Sequence, residues 1–314
     1  MTKEIRRGIL ALLACLLLAG CVPAPPSQGQ GGGLVDLPVG THTDASPAAP
    51  DAASVYTPES FPDYSGEPFV PINGNVPGFA GDELTTNSYE FYSDLDALGR
   101  CGVTEACVGL DLMPTEKRES ISSVKPTGWV QAQYDFVDGK SLYNRCHLIG
   151  FQLTGENANK YNLITGTRYL NIDGMLSFEN MVADYVKETG NHVMYRVTPN
   201  FVGDELVARG VFMEGYSVED KGESVCFYVY AYNVQPGVGI DYATGESWLE
   251  MPAGSDASSS GEAAIYILNT NSKKFHLPDC SGASSISGAN RQKVKTTRED
   301  LIAQGYSPCG TCKP

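Results

Sequence analysis

At 314 residues, 42% of them hydrophobic and with 17 Tyr and 11 Phe, the chain has the size for about two domains and the means to bury a real core, which excludes a wholly disordered chain and a multi-span membrane protein. Its 22 Lys and Arg stand against 37 Asp and Glu, a net charge of -15 that argues against wrapping of a nucleic acid by the whole surface and leaves a local basic site open.

Lys3, Arg6 and Arg7 precede an apolar run from Ile9 to Ala19 that is too short to span a bilayer, so residues 1–20 are expected to be a secretory signal. The run ends in Leu18-Ala19-Gly20-Cys21, which resembles the lipobox of bacterial lipoproteins. That resemblance implies lipidation of Cys21, a position on the outer face of the bacterial cell membrane and an oxidising compartment. Residues 21–62, with Gln28 to Gly33 and many Pro and Ala, read as a flexible tether. Ala253 to Gly261 is a second break, so a body (63–252) and a tail (264–314) are expected on either side of a Ser/Gly linker (253–263).

In the body, the alternation around Arg145, Cys146 and His147 reads as a strand end, with Arg145 and His147 on one face and Cys146 on the other. That places the Arg145 guanidinium beside the His147 imidazole, and this cation would lower the His147 pKa and favour the neutral form that a general base needs near pH 7. Ser177 to Thr189 predicts a helix with a Ser N-cap, an apolar stripe of Phe178, Met181, Val182, Tyr185 and Val186, and Gly190 as terminator. His192 to Pro199, Val207 to Glu214 and Ser224 to Val234 read as strands, giving an α+β body around an antiparallel sheet. Four body cysteines, Cys101, Cys107, Cys146 and Cys226, suggest two disulfides in an exported protein, with three pairings open.

Charge is unevenly divided. Thr86 to Pro252 holds 12 basic and 23 acidic residues, a net of -11, whereas Ala264 to Pro314 holds 7 basic and 3 acidic, a net of +4, and a nucleic acid would be drawn first to that basic tail. The tail opens with a strand-like Ala264 to Leu268 and carries a short helix from Arg298 to Gln304, ended by Gly305. His276, Cys280, Cys309 and Cys312 supply one imidazole and three thiolates, which fill a closed tetrahedral zinc site, and so small a unit needs such a staple. The spacing resembles the zinc-binding module of the Ada-type DNA-repair methyltransferases, with His276 where that module has its first Cys. With no ligand position left open, the zinc is expected to be structural.

The stretch Asn144-Arg145-Cys146-His147, with Asn162 to Asn171, Phe178 to Tyr185, Leu98 to Gly102 and Tyr232 to Gly237, resembles the DNA/RNA non-specific endonucleases of the His-Me finger (ββα-metal) type, and in particular the streptococcal and related Firmicute secreted DNases. The resemblance covers about Tyr64 to Trp248. The family signature Asp-Arg-Gly-His stands here as Asn144-Arg145-Cys146-His147, so Arg and His are kept while the Asp and Gly differ. It implies His147 as general base, Asn171 as the one protein ligand of Mg (with Mn as a substitute), Asn162 and Glu179 as residues that hold the site, and Arg145 as a phosphate contact. It also implies cleavage of DNA and RNA without sequence preference, leaving 5'-phosphate ends, and no protein partner is expected. Cys146, on the far face of its strand, would be open to a disulfide with Cys101. Some members carry an Arg where this chain has Ala183, which leaves Arg168, Arg118 and Lys117 as candidates for a transition-state cation. The competing class is a DNA-binding or DNA-uptake surface lipoprotein whose site has decayed at Asn144 and Cys146.

Overall fold

The computed structural model describes residues 61–250 and 262–314. Cys21, the expected signal, nearly all of the tether and most of the linker lie outside the described residues. In chain order come β1 (Phe69–Pro71), β2 (Tyr89–Tyr92), β3 (Thr104–Val108), β4 (Tyr143–His147), α1 (Phe151–Thr154), β5 (Leu163–Thr167), a π-helical turn (Leu170–Met175) and α2 (Leu176–Thr189). After these follow β6 (Val193–Asn200), β7 (Gly210–Ser217), β8 (Cys226–Tyr232), β9 (Val238–Ile240) and β10 (Ser247–Glu250). The tail adds β11 (Ala264–Asn269), β12 (Lys274–His276), α3 (Ser281–Ser284), β13 (Arg291–Thr296), α4 (Arg298–Ala303) and β14 (Ser307–Pro308). The protein is thus a mixed α and β structure whose sheets are mainly antiparallel, with two parallel pairings in the second sheet.

The main sheet has the order β1-β8-β7-β6-β3-β2, and every pairing in it is antiparallel. Its strands are rich in Val, Tyr and Phe, which suit a pleated surface, and α2 covers one face. Phe178 of α2 sits with its ring centroid 4.8 Å from Phe69 and 4.7 Å from Phe227. Val182, Ala183 and Val186 are fully buried in the same core, each large apolar side chain contributing about 1.5–3 kcal/mol of transfer free energy. Gly190 ends the helix in the left-handed conformation, its N–H returning to the Val186 carbonyl.

Three expectations need correcting here. Ser177 is not an N-cap, because α2 begins at Leu176 and the π-helical turn runs straight into it, leaving no open first turn for a hydroxyl to close. Met181 is 44% exposed, so the buried stripe is Phe178, Val182, Ala183, Tyr185 and Val186. Neither expected disulfide forms, and Cys101, Cys107, Cys146 and Cys226 are all free thiols. Their surroundings differ: Cys101 Sγ meets the carbonyls of Lys160 and Leu163, Cys107 Sγ meets that of Thr85, Cys146 is enclosed beside Met175, and Cys226 is exposed.

The second large sheet has the order β14-β12-β11-β13-β10-β9. Two of its strands, β9 and β10, come from before residue 251, and β10 pairs in parallel with β13 of the tail. Leu249 of β10 packs against the cluster that holds Tyr143 and Val238 and also against the one that holds Tyr266, Phe275 and Val294. β4 and β5 form a separate two-stranded unit. No helix among the described residues is long and apolar enough to cross a membrane.

Candidate active site

The β4–β5 pair, the π-helical turn and the start of α2 carry His147, Asn162, Asn171 and Glu179 into one region, while Arg145 is directed elsewhere. His147 ends β4 opposite Leu163, and is 5% exposed. Its Nε2 lies 2.9 Å from the Asn157 carbonyl and its Nδ1 3.2 Å from Nη2 of Arg118. A carbonyl can only accept and a guanidinium can only donate, so the ring is neutral, with the proton on Nε2 and the lone pair on Nδ1. Burial lowers the pKa of His147 and Arg118 lowers it further, against the opposing bond to Asn157. The cation beside the imidazole is therefore Arg118.

Arg145 is turned to another task. Its Nε donates to the Val124 carbonyl at 2.5 Å and Nη2 to that of Ser122 at 3.1 Å, while the guanidinium stacks 4.4 Å from the Trp129 ring centroid. It fastens the segment before β4. Asn162 is fully buried, and both ends of its amide serve Ile149: Oδ1 accepts the Ile149 N–H at 2.8 Å and Nδ2 donates to the Ile149 carbonyl at 2.9 Å. That brace sets the bend by which the chain leaves His147 for α1.

Asn171 occupies the π-helical turn, and Cys146 Sγ donates to its Oδ1 at 3.3 Å. The Cys146 thiol is held well above its ordinary pKa, by burial first and then by Glu179, so it is a neutral donor. Glu179, in the first turn of α2, lies against Gly150, where an added Cβ would stand 2.6 Å from Glu179 Oε2. Burial raises its pKa to about 7, opposed by Gln152 and by Arg118. Hard oxygen donors on two successive helical segments, both beside Cys146, suit a dication such as Mg, which needs few protein ligands and retains water. Ala183 is buried in the core, and Arg168 pairs with Asp138 at 2.6 Å, whereas Arg118 is the cation that acts on His147, Glu179 and Cys146 together. The backbone carbonyl of Asn157 carries no side-chain signature and was invisible to motif reading. Its Oδ1 also accepts the Glu119 N–H at 2.8 Å, tying the segment that bears Arg118 to the site.

A second cluster lies in the tail. The ligand atoms of His276, Cys280, Cys309 and Cys312 all fall within 4.8 Å of one another, and His276 Nδ1 is 3.5 Å from Cys280 Sγ. β12 delivers His276, Cys280 precedes α3, and β14, paired in parallel with β12, leads to Cys309. Backbone N–H groups of Cys312 and Thr311 draw the Cys309 thiol down to about 6, toward the thiolate that a metal binds. Three sulfurs and one imidazole nitrogen at this mutual distance fit a tetrahedral zinc ion.

A family model described as DNA/RNA non-specific endonuclease matches residues 82–219, the segment that holds Arg118, Arg145, His147, Asn162, Asn171 and Glu179. A deoxyribonuclease of Streptococcus dysgalactiae subsp. equisimilis is 30% identical over 116 residues, which is 35% of this chain and 34% of that protein. The chain therefore spans about a third of the length of that curated relative. The structure of NucA from Streptococcus agalactiae with a magnesium ion bound is similar at a TM-score of 0.53 and 23% identity, covering 60% of this chain and 90% of that one. The same nuclease with no metal bound gives 0.52 and 25%, covering 60% and 89%. Residues 82–219 thus form a domain of the DNA/RNA non-specific endonuclease family.

Proposed function

We propose that the chain is an extracellular, sequence-nonspecific endonuclease that hydrolyses phosphodiester bonds of DNA and RNA through the His-Me finger arrangement, leaving 5'-phosphate ends. The observation that carries this reading is the neutral His147, its Nδ1 lone pair fixed by the bond from Nε2 to Asn157 and met by Arg118, the cation that also acts on Glu179 and on Cys146, the partner of Asn171. His147 Nδ1 takes the proton of the attacking water. Arg118 must leave that lone pair for the reaction to start, and a substrate phosphate is the partner that would draw it away, so the base is exposed as the cation is delivered to the scissile group. Asn171 is the residue to hold Mg, with Glu179 beside it, and bound Mg would neutralise charge developing on the phosphate. Asn162 and Arg145 position the strand that carries the base.

We further infer a structural zinc at His276, Cys280, Cys309 and Cys312, lipidation at Cys21, attachment to the outer face of the bacterial cell membrane, and the division into signal, tether, nuclease body, linker and zinc module set out above. Absence of a base-reading motif supports contacts to phosphate and sugar and strong salt dependence. The test is degradation of plasmid and RNA by residues 22–314, in Mg and in EDTA, beside His147→Ala. The expected result is Mg-dependent loss of both substrates, abolished in the variant while DNA affinity is kept. Intact substrates with wild type in Mg and in Mn would overturn the enzyme reading in favour of a DNA-binding lipoprotein.

A further inference from the structure

A cleft of about 690 Å³ lies between the 130–134 segment of the body and the sheet that carries His276, with Arg291 and Lys293 of β13 on one side and Gln131 and Gln133 on the other. Its body wall is rigidly tied to the active strand. Gln131 Nε2 donates to the Tyr143 carbonyl at 2.7 Å and Gln131 Oε1 accepts the Tyr143 N–H at 3.1 Å, so the wall is pinned to the start of β4. Tyr143 is four residues before His147, about 13 Å along an extended strand. Trp129, at the head of the same segment, is the ring on which Arg145 stacks.

The opposite wall carries two cations, Arg291 and Lys293, and strand alternation places Lys295 next along the same face, just beyond the cleft. Arg291, Lys293 and Lys295 share one face of β13, while Val294 between them enters the core. Ile267, the cross-strand neighbour of Lys293, lines the same cleft. Lys295 Nζ lies 5.6 Å from the centroid of Trp248. Lys293 is held by the carboxylate of Glu246, which is 57% exposed and also lines the cleft. The remaining acidic lining residue is Asp279.

We propose that this cleft is an accessory track for the sugar-phosphate backbone of the polynucleotide, holding the stretch of substrate that runs from the scissile bond past the start of β4. The inference rests on the nuclease reading and assigns to the tail a defined share of the substrate. Backbone phosphates meet Arg291, Lys293 and Lys295, and one phosphate displaces Glu246 from Lys293.

The test is a full-length, zinc-loaded protein with Arg291→Gln, Lys293→Gln and Lys295→Gln combined, assayed on long DNA and on a dinucleotide. The expected result is a KM for long DNA raised about tenfold with kcat unchanged, no change on the dinucleotide, and a slope of log affinity against log salt shallower by about 2.7 on duplex DNA. Glu246→Gln, which removes the competing carboxylate, is expected to lower the KM for long DNA. A triple variant with parental KM and salt slope overturns the proposal, as does an equal loss on both substrates. If the triple variant does not fold, Glu246→Gln and Arg291→Gln alone decide by moving KM in opposite directions, and parental values in both overturn it. If the parent cleaves nothing, the nuclease reading fails. The track is then judged separately, by whether the triple variant binds DNA with a weaker affinity and a shallower salt slope.

Discussion

Gly150 leaves no room for a side chain, since a Cβ there would meet Glu179 Oε2 at 2.6 Å and Cδ at 2.7 Å. Gly150→Ala is therefore expected to push the Glu179 carboxylate aside and lower DNA cleavage about 100-fold, with the melting temperature little changed, as read by a cleavage assay beside thermal denaturation. The titrating pair at this site works in opposite directions. Burial and Arg118 hold the folded His147 below its ordinary pKa, so its contribution to stability is present above the unfolded value and is lost as pH falls through the folded one. Glu179, raised to about 7 by burial, keeps its proton longer in the folded state and costs stability as pH rises from the ordinary carboxylate range toward 7. Removing Arg118 relieves a cation that lowers His147, so Arg118→Ala is expected to move the acid limb of the pH–rate profile to higher pH, checked by kcat/KM against pH. His147, Asn162, Asn171 and Glu179 could be named as candidates because their residue types recur in a known pattern. Arg118 was only one of several candidate cations, because the contact that sets it apart spans 29 residues of sequence with no repeating pattern.

At the scale of elements, the strand and helix signals were legible where side chains alternate or recur at helical spacing. β6 and β8 fall close to their expected spans, β7 begins later than expected at Gly210, and α4 ends before Gly305. The π-helical turn was not legible, since a local rise in residues per turn leaves no mark in composition. It is anchored by what precedes it: Thr167 Oγ1 accepts the Leu170 N–H at 2.9 Å, and Thr167 is in turn held by Asn233. Asn233 is fully buried, accepting from Thr167 N–H at 2.8 Å and donating to the carbonyls of Thr165 and Ala208 at 3.0 and 2.8 Å. Asn233→Ala strands all three groups, and a loss of about 3 kcal/mol is expected from chemical denaturation.

For the whole molecule, the uneven charge was legible by counting, but the pairing of β10 with β13 was not, because parallel partners far apart in sequence share no local pattern. Through Leu249 the core beside β4 continues into the core of the tail. A strong chelator, or Cys280→Ser, is expected to release the proposed zinc and to lower the melting temperature of the nuclease body along with the tail, checked by calorimetry beside metal analysis.

The same shared sheet is expected to outlast a cut in the chain. A protease that severed the backbone anywhere within 251–261 would leave two fragments whose strands, β10 in one and β13 in the other, still complete each other's hydrogen-bond ladder. Such a nicked protein would migrate as two bands in denaturant and as one particle in buffer, with each half serving as the other's missing sheet edge.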